Sequence, residues 1–358
     1  MEGPASGSNE LIRETGMKTV RALLVVGGFS IFGAAGVSAA EPVTVDNFTR
    51  AESDLYFGNA IKDAGGPGVF HHRREPMQIS HQVVIRANRD TLYSSAVFDL
   101  DAGPVTLTMP DPGNRFMSLM AINEDHYVVG DIRYGAGSYT YDKNAVGTRY
   151  MLIGIRTLVI PDDADDVETV HKLQEQIKVD QPGGKGAFDI PTWDDASQKK
   201  VRDALLVLGS TIPDFRGAFG SKETVNPIRH LIGTALGWGG NPDKDAFYLN
   251  VTPPQNDGKT VYDLTVKDVP VDGFWSISVY NAEGYFEANE LNAYTLNNIT
   301  AKKEPDSSVK VQFGACDGKV ENCIPIANGW NYTVRLYRPR QELLDGRWTF
   351  PEPIPVAR

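Results

Sequence analysis

The run "RANRDTLYS" spans Arg86 to Ser94 and sets two guanidiniums, an amide, a carboxyl and a phenol within one short stretch. An arginine fork matches a carboxylate or phosphate, so Arg86, Asn88 and Arg89 are candidate substrate-binding residues. A carboxyl or a phenol within reach of a substrate can move a proton, so Asp90 and Tyr93 are candidate acid/base groups. His126, in "EDHYV", is a third, because imidazole titrates near neutral pH. Tyr127 beside it is a further candidate substrate-binding residue. Asp125 is not expected to orient His126, since neighbours on a strand face opposite ways. The competing reading of Asn88-Arg89-Asp90 is a turn, in which Asn and Asp bond their own backbone. Both readings stay open at this level.

Other chemistry is sparse. The chain has no Gly-x-Ser-x-Gly elbow and no His-Glu-x-x-His pair. "NDGKT" resembles the end of a phosphate loop, but Pro253 stands where the first glycine is needed. "GGPG" and "GWGG" lack the strand-turn-helix order of a dinucleotide site. His171 and His230 fall on expected helices and read as structural. No histidine pair has metal-ligand spacing, so no metal is expected, and no cofactor is indicated. The aromatics from Trp238 to Tyr294 read first as sheet and core residues, and second as a stacking platform. Cys316 and Cys323, the only cysteines, flank an Asp-Gly turn in "GACDGKVENCIP" and read as a disulfide in an exported protein.

The elements that must carry these residues alternate in type. "TVDNFTRAESDLYFGNAIKDAGG" reads as a helix, with Phe48, Ala51, Leu55 and Ile61 on one stripe and Gly65-Gly66 as its stop. From Gln82 to Ile160 the pattern has period two. Arg86 then shares a strand face with Val84, while Leu92, Ala96 and Phe98 lie opposite Tyr93, Ser95 and Val97. Residues 162–236 turn helical, with stripes at Val167, Val170, Gln174 and Ile177, and at Val201, Ala204, Leu205 and Leu208. Strands return after Gly237. Many short punctuated strands imply sandwiches or barrels. The expected parts are 1–40, an upstream extension and signal peptide; 41–161, a helix and β-sandwich; 162–236, a helical segment; and 237–358, a second β-sandwich.

The chain has 358 residues and a net charge of -11. That balance disfavours nucleic acid as a partner. Lys18 and Arg21 precede the apolar run "ALLVVGGFSIFGAAGV" and the small residues Ser38, Ala39 and Ala40. This is the pattern of a cleaved secretory signal, too short for a stable membrane span. A periplasmic or secreted location is therefore expected.

"FHHRREPMQISHQVVIRANRDTLYSSAVFDLDAGPVTLTMPD", with "EDHYV" and "GTRYMLIGIRTLV", resembles the bacterial domain-of-unknown-function family numbered 1254. "GWGGNPDKDAFYLN", "GFWSISVYNAEGYFEANELNAYTLNN" and "IPIANGWNYTVRLYRPRQELLDGRWTFP" resemble its usual C-terminal companion, numbered 1214. The resemblance implies a mainly β fold of two jelly-roll-like sandwiches with helical additions, and it carries no activity. Two functions are expected to compete. One is a hydrolase or lyase on a small polar or carbohydrate-like compound. The other is a non-catalytic ligand-binding or envelope-associated module. The oligomeric state is left open. Mass spectrometry of exported material should place the mature N-terminus near Glu41; retention of residues 17–40 on most molecules would refute the signal.

Overall fold

A computed structural model describes residues 39–82 and 84–356. The expected signal segment lies outside the described residues, apart from Ala39 and Ala40. The described residues from Ala40 onward form one compact unit.

The unit holds two β-sandwiches. The first uses β1 (His71–His72), β2 (Thr91–Asp99), β3 (Val105–Met109), β4 (Met117–Asn123), β5 (Arg133–Tyr134), β6 (Gly137–Tyr141) and β7 (Tyr150–Leu158). They form a sheet of order β1-β2-β7-β4-β5 and a smaller one of order β6-β3-β8, whose last strand is β8 (Lys178–Asp180). The second sandwich uses β9 (Ala246–Val251), β10 (Val261–Val266), β11 (Trp275–Tyr280), β12 (Thr295–Asn297), β13 (Val309–Phe313), β14 (Cys323–Ile324), β15 (Asn331–Tyr337) and β16 (Ile354–Val356). Its sheets run β14-β13-β10-β16 and β12-β11-β15-β9. All pairings are antiparallel except β13 with β14. Cys316 and Cys323 are disulfide-bonded at that edge.

Period-two alternation decides what each sheet face does. In the first sandwich Ala96, Phe98, Leu119, Ile153 and Ile155 meet Val105 and Leu107 of the smaller sheet in one core. The opposite face of the large sheet carries Tyr93, Ser95, Ser118, Gly154 and Arg156, which line a cleft. In the second sandwich Ile277, Tyr332, Val334 and Leu336 enter the core with Leu264 and Phe313. The other face of that sheet is polar yet also buried, with Ser276, Ser278, Asn331, Thr333 and Arg335 all nearly inaccessible.

Helices surround the first sandwich: α1 (Phe48–Ala64), α2 (Lys143–Val146), α3 (Ala164–Glu175), α4 (Asp195–Gly209) and α5 (Pro227–Gly237), with α6 (Gln341–Leu344) near the C-terminus. Asn226 caps α5 by accepting from the Ile228 and Arg229 amides, and Pro227 fits its first turn. Phe48, Ala51, Leu205 and Ile232 join α1, α4 and α5 in one cluster. Two expectations change here. Val84 to Asp90 form no strand, and pairing begins at Thr91. Leu55 and Leu208 are exposed, because the real stripes are shorter. Within 162–236, Lys178–Asp180 add a strand, β8, which pairs with β3 beside the helices.

The buried face of α1 is polar. Glu52 accepts from Gln198 and from the Arg202 guanidinium. Asp54 is 1% exposed and accepts from the Trp193 indole at 2.8 Å, while its other oxygen has no hydrogen-bond partner among the described residues. Burial, with Glu124 and Asp125 nearby, pushes its pKa up to about 6, against the opposing pull of Trp193 and Arg50. Between an unfolded value of 3.8 and about 6 the folded chain thus holds more protons than the unfolded one. Stability should fall as pH rises through that window, by about 2–3 kcal/mol from this group. Urea unfolding of Asp54→Asn from pH 4 to 7 should show a slope that lacks this loss. An unchanged slope would mean Asp54 is ionised throughout.

Candidate functional site

The cleft has a volume of about 440 Å³. Its floor is the outer face of β2, β7 and β4. Tyr93 pairs across from Arg156, which pairs across from Ser118, so the three form one row. The next row is Ser95, Gly154 and Met120. Gly154 leaves the centre of the floor bare: a Cβ there would touch only Leu152, at 3.9 Å. Tyr56, Asn59 and Asp63 of α1 form one wall, and Trp238-Gly239 with Asn241 form another. His71, Arg73 and Glu75 line the cleft from β1 and the loop after it.

Arg156 is the unusual group. It is partly buried in mid-strand and stacks over the Tyr93 ring at 5.5 Å. Its hydrogen bond goes to the Gly239 carbonyl at 3.2 Å, and it makes no ion pair among the described residues. Burial opposes its charge, but the phenols of Tyr93, Tyr248, Tyr337 and Tyr134 outweigh that and keep it protonated. Tyr93 feels the reverse. Burial raises its pKa, yet Arg156, Thr91, Arg335 and Asn88 together bring the phenol below its ordinary value. A cation without a carboxylate at the floor of a cleft is suited to an anionic ligand, and a lowered phenol beside it is suited to proton transfer.

Of the residues singled out by sequence, Tyr93 and Asn88 line this cleft. The others do not. Arg86 turns onto the second sandwich and donates to Asn331 at 2.7 Å and Thr333 at 3.3 Å. Arg89 donates to the Met77 carbonyl and lies over the Tyr294 ring. Asp90 is wholly buried and accepts from Thr295 at 3.3 Å, with Ser276 and Asn297 alongside. Burial raises the pKa of that carboxyl despite the Arg335 charge. Arg86 and Asp90 therefore find separate partners across a seam rather than each other.

His126 sits behind the cleft wall, 2% exposed. Its Nδ1 is 2.8 Å from the Thr234 hydroxyl, and its Nε2 accepts from the Gly239 amide at 2.8 Å. Burial and the neighbouring His230 hold its pKa well below the usual imidazole range. The ring is thus neutral, with Nδ1 carrying the proton. Gly239 links two of these groups, since its N–H meets His126 and its carbonyl meets Arg156. Tyr127 stacks on His230 at 4.5 Å and lines a separate depression with Asp125. Among the described residues no cluster of His, Cys, Asp and Glu is arranged to hold a metal, and no helix is long and apolar enough to cross a membrane.

Sequence reasoning passed over Arg156, Gly154 and Ser118, and read Trp238 only as one of the aromatics from Trp238 to Tyr294. One signal was readable. In "RYMLIGIRTL" an arginine and a glycine share a face of an otherwise apolar strand, where neither residue helps packing.

Residues 67–143 match the family described as "Protein of unknown function (DUF1254)", and residues 252–341 match "Protein of unknown function (DUF1214)". The chain carries both, in that order. The VPA0106 protein from Vibrio parahaemolyticus has a similar structure, with a TM-score of 0.66 at 17% identity, covering 87% of this chain and 98% of that one. That likeness concerns the fold alone. An uncharacterized protein from Burkholderia cenocepacia aligns with a TM-score of 0.46 at 13% identity, over 82% of this chain and 84% of that one. No curated protein matches.

His126→Phe would keep a ring in the stack but leave the Gly239 amide without its acceptor. Urea unfolding should show a loss of about 1–3 kcal/mol. Wild-type stability would count against the tether.

Proposed function

We propose that the protein is an exported enzyme, a hydrolase or lyase, acting on a small anionic compound of polar or carbohydrate-like character in the cleft over the first sandwich. Arg156 carries this reading: it brings a desolvated charge with no carboxylate partner to the cleft floor. A partly buried cation with no ion-pair partner among the described residues is costly, and a ligand anion would offset that cost. The volume of about 440 Å³ suits a small molecule. The apolar lining from Met120, Ile122 and Leu152 suits the carbon skeleton beside the charged group. Tyr93, held low by Arg156, is the proton-transfer group of this reading. Export is supported by the disulfide at Cys316–Cys323 and by the signal pattern before Glu41.

The second reading is a non-catalytic ligand-binding module. Its support is that His126 is tied on both nitrogens and Asp90 is sealed in the seam, which leaves the phenol to work without them. The two readings share the ligand site and differ in turnover.

Thermal melts with sugar acids, small carboxylates and phosphate esters test the site. One class should raise the melting temperature, as a ligand at 100 times its Kd adds about 2.7 kcal/mol. Arg156→Met should abolish that rise, and so should Gly154→Val, which fills the floor with a residue suited to a strand. A ligand that stabilises both variants as well as wild type would sink the proposal. Product analysis on the stabilising ligand then separates turnover from binding.

A further inference from the structure

The polar face of the second sandwich meets the loop from Arg86 to Asp90 of the first. Arg335, on β15, is 5% exposed and spends its donors on the seam. Its Nη1 donates to Ser278 at 2.8 Å, and its Nη2 to the Arg86 carbonyl at 2.7 Å, the Ala87 carbonyl at 3.2 Å and the Tyr280 hydroxyl at 2.7 Å. Tyr280 in turn donates to the Ala87 carbonyl at 2.8 Å. The Ala87 carbonyl is thus gripped twice. Arg86 itself has a left-handed backbone, φ 51°, which a non-glycine residue adopts only when its surroundings enforce it. Its amide is held by the Gly284 carbonyl at 2.7 Å.

The next residue is Asn88, at the edge of the cleft. Its Oδ1 accepts from the Asp90 amide at 2.8 Å. That contact orients the amide, so Nδ2 faces the Tyr337 hydroxyl at 2.9 Å and the Tyr93 hydroxyl at 3.4 Å. A donor aimed at a phenolic oxygen favours the phenolate. We propose that Arg335 is a positioning residue for Tyr93, acting across the seam through the Arg86 and Ala87 carbonyls and the amide of Asn88. The second sandwich is thereby part of the cleft's chemistry, although Tyr93 and Arg156 both belong to the first. Other groups also surround this phenol: Arg156 from β7, Tyr337 from β15 and the charge of Arg335 itself act on it directly, and His71, Arg73, Asp63 and Glu75 line the same cleft. The test must therefore separate positioning from charge.

Arginine to lysine does that, because lysine keeps the charge and loses the planar fork. The functional consequence rests on the cleft being the site, but the measurement needs no ligand, so failure of that reading and failure of this one give different results. Tyrosine labelled with carbon-13 at Cζ is titrated by NMR in the full chain, and Tyr93→Phe assigns the resonance. Asn88→Ala and Arg335→Lys should each raise the Tyr93 titration by about 1 unit. The double variant should rise no further than Asn88→Ala alone, as expected of one shared route. A Tyr93 titration unchanged in Arg335→Lys, with only a lower melting temperature, would make the seam purely structural and overturn the proposal. Additive shifts would overturn it too. Should Arg335→Lys fail to fold, Tyr280→Phe removes one grip on Ala87. It should give a smaller rise that vanishes in the Asn88→Ala background, and no rise at all would equally refute the relay.

Discussion

The guanidinium of Arg335 is the constraint on which the arrangement of the two sandwiches turns. It is buried, makes no ion pair among the described residues, and is satisfied by backbone carbonyls, a serine and a tyrosine. A charge in that position must be hydrogen-bonded fully or it destabilises the fold. The loop from Arg86 to Asp90 supplies two of its acceptors, the Arg86 and Ala87 carbonyls. The loop in turn depends on the sheet, since Arg86 needs Asn331 and Thr333. Neither partner can be satisfied in its present form without the other. This reciprocity explains why one face of β11 and β15 is polar yet buried: it is a surface for a loop, not for solvent.

The cleft inherits its geometry from that seam and from a second set of contacts behind its other wall. His126, with a left-handed backbone at φ 62°, fixes the Gly239 amide, and the Gly239 carbonyl meets Arg156. Two polar residues that resemble catalytic groups in the sequence are thus supports for two that face the cleft. Asp90 stands behind Asn88 and Tyr93, and His126 stands behind Gly239 and Arg156. The physical distinction is burial: both are sealed from the cleft, His126 with both ring nitrogens engaged and Asp90 with one oxygen bonded to Thr295. A group sealed from the cleft has nothing to offer a substrate there.

Much of the fold was legible in local pattern. Period-two runs such as "SLMAIN" and "FWSISVY" gave strands, and the Asn226-Pro227 start of α5 gave a helix. Both signals arise from short-range sterics and capping, which the chain carries with it everywhere. Failures came where tertiary contacts override local preference. Val84 and Ile85 have strand character, yet the loop they begin is bent to meet β15 and Gly284. Leu55 and Leu208 look like core residues, but the faces of α1 and α4 that pack are set by Glu52, Gln198 and Arg202 as much as by apolar side chains.

By itself the sequence determined the mainly β class, the helix before the strands and the helices between them, the disulfide at Cys316 and Cys323, and the concentration of polar groups in the Arg86–Tyr93 stretch. It did so because composition, alternation and turn chemistry act over a few residues. Only the tertiary structure decided which member of that stretch faces a cleft and which is sealed in a seam. Asn88 and Asp90 are two residues apart, and one reaches the Tyr93 hydroxyl while the other is wholly buried. Arg156 illustrates the same point from the opposite side. Nothing within its own strand says that four tyrosines surround it, because Tyr248 and Tyr337 arrive from a different sandwich. Burial and pairing are properties of the assembled molecule, and they separate a supporting charge from a working one.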